Sequence, residues 1–183
     1  MGMFREACEI IYRMWTEDYP KFRGKHYTID GPINEPKGLQ KPHPPFWIGG
    51  SGERVTLRLV ARWGDACNIM GDTEMIRHKF DVLERHCEDV GRDYAEIIKS
   101  TDVRVHLVEN EANAEHETAQ ARGDRPYEEY AGSNIVGTPE MVSERLQAMV
   151  DAGIDYFIVT IPREAYHQEP VRRFAREVIP LFN

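Results

Sequence analysis

The segment Pro44-Pro45-Phe46-Trp47-Ile48-Gly49-Gly50-Ser51-Gly52-Glu53-Arg54 constrains the fold more than any other stretch of this chain. Phe46 to Ile48 reads as a short apolar strand, the glycines as a turn, and a helical pattern begins at Glu53. A strand that turns through glycines into a helix start is suited to hold a phosphate. Glycine lets the backbone approach an anion closely, and the first amides of a helix have no partner inside it. The segment therefore predicts a phosphorylated cofactor or substrate.

The chain has 183 residues, enough for one domain with a sizeable core. Its net charge of -8 argues against nucleic acid or an anionic membrane as the main partner. It leaves phosphate binding open, because backbone amides supply that locally. No apolar stretch approaches the ~20 residues that span a bilayer. Met1 to Arg13 reads as part of a helix and not as a targeting peptide. Three cysteines, Cys8, Cys67 and Cys87, form an odd and sparse set, which suggests reduced thiols and a cytoplasmic location.

Residues 1–18 predict a helix with Phe4, Cys8, Ile11 and Trp15 on one face. Pro20 ends it, and residues 19–45 read as an irregular insertion rich in proline, with Tyr27 and Ile29 in a short extended piece. From residue 46 to 183 strands and helices alternate. The strands are Phe46–Ile48, Asp65–Met70, Thr101–Val108 and Tyr156–Ile161. Helices are expected over 53–63, 74–90, about 112–122, from Pro139 with Thr138 as N-cap, and around Val171–Val178. Four strands without a hairpin signal imply a parallel sheet with crossover helices, either a small doubly wound sheet or part of a (β/α)₈ barrel. A whole barrel takes about 250 residues, so four units are half of one.

Several blocks resemble the luciferase-like monooxygenase superfamily, in the branch that uses the deazaflavin coenzyme F420. They are Lys41 to Arg54, the helix Thr56 to Ala61 followed by Gly64-Asp65-Ala66-Cys67-Asn68, Val136 to Glu140, and Ala152 to Phe157. Phe22 to Tyr27 and the opening helix also fit the family's middle region. The resemblance implies an α/β fold, the C-terminal half (about four βα units) of a TIM-like (β/α)₈ barrel, as a single partial domain over 1–183. It implies an oxidoreductase that transfers hydride between F420 and an organic substrate. An FMN-dependent monooxygenase of the same fold is one alternative, since FMN offers its phosphate to the same turn. A non-catalytic half-barrel that binds or assembles is another. A lone half-barrel exposes strand edges and an apolar inner face, so the chain is expected to pair with another copy or with a missing N-terminal half.

For the cofactor, the candidate residues are Gly49, Gly50, Ser51 and Gly52, through their amides and the Ser51 hydroxyl. Arg54 is a candidate for a charged contact, with a solvated arginine beside Glu53 as the alternative. Asn68 is a candidate at the end of its strand, next to Met70, with a strand-ending turn as the alternative. Arg104 and His106 share a strand face that meets substrate if it points inward; an exposed face, with Val103, Val105 and Leu107 buried, is favoured. Arg163 follows the last strand and reads mainly as a loop arginine, or else as a contact for an anion. His78 and His86 are eight apart and read as surface residues, so no metal site is expected. No catalytic acid or base stands out, and the glycines lack the spacing of a dinucleotide fingerprint.

Overall fold

The computed structural model describes residues 1–182, and they form two compact units. The first comprises Met1–Gly71 and Arg77–Lys99; the second comprises Asp72–Ile76 and the chain from Ser100 onward.

In the first unit, helix α1 (Gly2–Thr16) precedes two short strands, β1 (Lys21–Arg23) and β2 (Thr28–Asp30), which pair antiparallel. The supposedly irregular insertion thus contains a hairpin. It is fastened to α1 by polar contacts that no periodicity announces. The Glu6 carboxylate accepts the amides of Lys25, His26 and Tyr27 at 2.8–2.9 Å. At the far end of the helix, Lys37 Nζ donates to the carbonyls of Met14 and Glu17, and Asn34 donates to Met14. These side chains satisfy carbonyls that a helix end leaves open. The expected apolar stripe of α1 is only partly covered: Cys8 is buried, while Phe4 and Ile11 stay exposed.

Strand β3 (Trp47–Gly49) leads through the glycine turn into α2 (Thr56–Trp63), and β4 (Ala66–Asn68) returns parallel to β3. Leu57, Val60 and Ala61 of α2 are fully buried, as their spacing predicts. Asp65 fixes the start of both strands, because its carboxylate accepts the Phe46 amide and its own amide donates to the Phe46 carbonyl. Helix α3 (Thr73–Val90) follows. It buries Ile76, Phe80, Leu83 and Cys87 but leaves Val90 exposed. Gly91 ends it at φ 70°, the left-handed conformation a C-cap glycine supplies.

The long strand β5 (Ile98–Leu107) crosses from the first unit into the second. Helices α4 (Ala114–Arg122) and α5 (Tyr127–Gly132), strand β6 (Ile135–Gly137), helix α6 (Pro139–Val150), strand β7 (Tyr156–Thr160) and helix α7 (Glu169–Glu177) complete the chain. Both β6 and β7 run parallel to β5, which pairs β7 along Ser100–Arg104 and β6 along Val105–Leu107. The sequence predicted four parallel strands, and β6 is a fifth. Three residues are too few to show alternation. Thr138 stands at the N-cap of α6, but its hydroxyl bonds Glu140 Oε2 at 2.8 Å and leaves the helix amides uncapped.

The core of this unit lies on one face of its strands, where Val103, Val105, Ile135, Val142, Leu146, Phe174 and Val178 pack together. The opposite face carries Asp102 and Arg104 of β5 and Tyr156, Ile158 and Thr160 of β7, all exposed. Parallel sheets ordinarily have both faces covered.

Candidate functional site

The glycine turn occupies the end of β3 as the sequence implied, but its amides are divided between two uses. Gly50 sits at φ 115°, a conformation that disfavours any side chain, and its amide donates to the Asn68 carbonyl at 3.0 Å. That amide serves the sheet and is not free for a ligand. Among the described residues, no acceptor takes the amides of Ser51, Gly52, Glu53, Arg54, Val55 or Thr56. A methyl group at Gly49 would meet nothing within 4 Å, so the space beside it is open. One at Gly52 would stand 3.0 Å from the Thr56 hydroxyl. Gly49 lies directly across from Asn68 in the β3–β4 register, which brings the half-buried Asn68 to the turn.

Helix α2 starts at Thr56 and not at Glu53. The reason lies in α3. The Glu53 carbonyl accepts from His86 Nε2 at 2.8 Å, and the Leu57 amide goes to Gly52 instead. The Glu53 carboxylate is held by Lys79 and by His78 Nε2 at 3.0 Å. Hydrogen bonds from Lys79 and His78 keep this carboxyl below the usual carboxylate range, against a smaller opposing effect of desolvation. Its negative charge is thereby matched by α3. His86, read from sequence as a surface residue, is largely covered and pins the turn. Arg54 is exposed, has no ion-pair partner among the described residues, and lines an open groove with Arg85 and His86 of α3. Met70 is exposed. The turn therefore collects Gly49, Gly50, Ser51, Gly52 and Asn68, while Arg54 lies along the α3 groove.

In the second unit a separate cleft of about 430 Å³ lies beyond the C-terminal ends of β5 and β7. Its walls include His106, Glu109, Glu117, Arg163, His167 and Arg173. Arg104 is exposed and Val103 and Val105 are buried, the arrangement favoured from the alternation. His106 departs from it. It is half-buried, and its Nδ1 shares a hydrogen bond of 2.9 Å with the hydroxyl of Tyr130. Burial pushes the imidazole pKa down, with the Glu117 charge opposing. Arg163 stands at φ 64°, a left-handed conformation rare for a residue with a side chain and often found at functional sites. The acids of the cleft are engaged. Arg173 bridges Glu109 at 2.7 Å and Glu177 at 2.8 Å, and Glu117 accepts the Glu109 amide. Tyr130 escaped sequence reasoning because its short helix α5 has no recognisable period. Its one sequence signal is an aromatic residue within the polar run 124–134.

Parallel strands joined by crossover helices define an α/β protein. A family model for luciferase-like monooxygenases matches residues 1–130, and the chain belongs to that family. An FMNH(2)-dependent dimethylsulfone monooxygenase of Pseudomonas putida is 26% identical over 209 residues, covering 96% of this chain and 56% of that protein. An F420-dependent glucose-6-phosphate dehydrogenase of Kineococcus radiotolerans is 22% identical, covering 97% of this chain and 59% of its own length. Among solved structures, the F420-dependent tetrahydromethanopterin reductase of Methanopyrus kandleri superposes with a TM-score of 0.77 at 16% identity, over 100% of this chain and 63% of that one. An F420-dependent secondary alcohol dehydrogenase gives 0.78 at 17% identity, over 99% and 61%. At these identities the structural likeness shows the fold alone: this chain matches part of the luciferase-like barrel. It spans somewhat more than half the length of the curated relatives it matches.

Proposed function

We propose that the chain is part of a luciferase-like oxidoreductase whose glycine turn binds the phosphate of coenzyme F420, for hydride transfer to or from an organic substrate. The observation that carries this reading is the run of six amides, residues 51–56, without internal acceptors beside the open space at Gly49. Such a run suits an anion even in an acidic protein, since the donors are fixed by the backbone. On this reading the Ser51 hydroxyl and the side-chain amide of Asn68, which lies across from Gly49 in the strand register, are the further donors. When bound, the deazaflavin ring supplies the hydride chemistry, and the residues described here hold its phosphate and fix its position. No residue of this chain is assigned as general acid or base.

FMN is the second reading, supported by the 26% identity to an FMNH(2)-dependent monooxygenase. The third is a non-catalytic binding or assembly module, supported by the uncovered face of β5 and β7 with Tyr156 and Ile158 exposed. On the enzyme readings, that face is covered by further barrel units, which the relatives' greater length supplies.

Titration with F420 and FMN in turn, followed by tryptophan fluorescence, tests the cofactor. Saturable quenching by F420 is expected, weakened in Gly49→Ala while thermal unfolding stays unchanged. Saturation by FMN alone moves the assignment to the second reading, and no saturation with either leaves the third. Sedimentation velocity tests the uncovered face, and a monodisperse, folded monomer would overturn the requirement for cover.

A further inference from the structure

Helices α1 and α2 frame a second concavity in the first unit, of about 250 Å³. Arg5 of α1 and Arg58 and Arg62 of α2 surround it, Leu59 supplies an apolar surface and Trp63 a wall. Among the described residues, none of these three guanidinium groups has a carboxylate within 4.0 Å. The one acid of the lining, Glu9, is already bonded twice by Arg13, at 2.7 and 3.2 Å. Elsewhere Arg13, Arg92, Arg122, Arg125, Arg173 and Arg176 are paired with carboxylates, while among the described residues Arg54, like these three, is not; what distinguishes Arg5, Arg58 and Arg62 is that they line one concavity together. Arg58 and Arg62 are also one helical turn apart, where like charges repel. The dipole at the end of α2 offsets only the charge near its last turn, that of Arg62. The wall is preorganised: Trp63 packs against Tyr12 with ring centroids 4.8 Å apart, and the Arg62 guanidinium lies over the indole at 4.8 Å.

We infer that this concavity binds an organic phosphate monoester, with the phosphate among Arg5, Arg58 and Arg62 and the organic body against Trp63 and Leu59. Guanidinium forks match phosphate oxygens in pairs, and an indole face takes up a planar or apolar group. The site is built from side chains of two helices, whereas the glycine turn is built from backbone amides, so substitutions separate the two.

Phenyl phosphate and inorganic phosphate are the probes, titrated against the whole chain at ionic strength matched with sodium chloride. Calorimetry and tryptophan fluorescence are the readouts. Saturable binding of phenyl phosphate is expected, tighter than that of inorganic phosphate. Arg58→Ala/Arg62→Ala should weaken it about tenfold or more, the loss expected for charged hydrogen bonds. Gly49→Ala should leave it unchanged, and Trp63→Leu should remove the preference for the phenyl ester. The arginines are exposed, so the variants are expected to fold, as circular dichroism will check. The inference falls if wild type shows no saturable signal beyond the chloride control, or if the double arginine variant binds as wild type does. Equal affinity for both probes would overturn the organic part of the assignment.

Discussion

The ends of β3 and β5 both carry polar groups at the C-terminus of a parallel strand, yet they are made from different materials. At β3 the donors belong to the backbone of one continuous segment, and the glycines that expose them are adjacent in sequence. At β5 the polar wall joins His106 to Tyr130, 24 residues away, and to Arg163, which follows another strand. A backbone site tolerates side-chain changes nearby but not changes that alter φ. A side-chain site reverses those sensitivities. The two regions should therefore respond differently to substitution.

The largest effect should come from the seat of the turn. Leu57 is fully buried one residue into α2, and Leu57→Ala should cost about 2–5 kcal/mol in chemical denaturation through loss of packing and a residual cavity. A loss well under that range would show that α2 is not what holds the turn.

Two alanine substitutions at neighbouring glycines sharpen the backbone argument. Gly50→Ala forces a side chain to φ 115° and should cost about 1–3 kcal/mol. Gly49→Ala enters open space and should leave stability nearly unchanged while weakening cofactor binding. Equal stability losses at both positions would break the distinction between strain and access.

For the side-chain region, Tyr130→Phe keeps the ring and removes the hydroxyl that partners His106. Leaving Nδ1 without its partner should cost about 1 kcal/mol, with little effect at the glycine turn. The His106 pKa lies below its unfolded value. The folded state therefore binds this proton less readily than the unfolded state does. The stabilisation is complete above the unfolded pKa of about 6.5 and is lost as pH falls through the folded value. Stability measured from pH 7.5 down to 5 should fall more steeply in wild type than in His106→Gln. Parallel profiles would refute the burial argument.

The smallest effect is expected at the hairpin. Desolvation pushes the exposed Glu6 carboxyl up, but bonds from the amides of His26, Tyr27 and Lys25 together outweigh it and hold the pKa down. The stabilisation is present above the unfolded carboxylate range and disappears as pH drops through the depressed folded value. Glu6→Gln should speed amide exchange at residues 25–27 at neutral pH and match wild type in acid. A difference that persists in acid would point to packing instead of charge.

Much of the fold was legible because periodicity is local. The stripes Ile76-Phe80-Leu83-Cys87 and Leu57-Val60-Ala61 lie buried where their spacing put them, and Val103 and Val105 of β5 are buried with Arg104 exposed between them, as expected. Short elements were not legible. β6 has three residues and α5 six, and both are ordered by tertiary contacts among Val108, Ala114, Tyr130 and Val136. The start of α2 was misread because His86, 33 residues away, takes the Glu53 carbonyl.

The order of residues 44–54 by itself determined a strand, a glycine turn and a following helix, because those preferences are set by neighbouring φ and ψ angles and by apolar spacing. Only the tertiary structure decided which amides stay available. Gly50 gives its amide to Asn68, and residues 51–56 keep theirs, because hydrogen bonds between segments distant in the chain depend on how those segments pack.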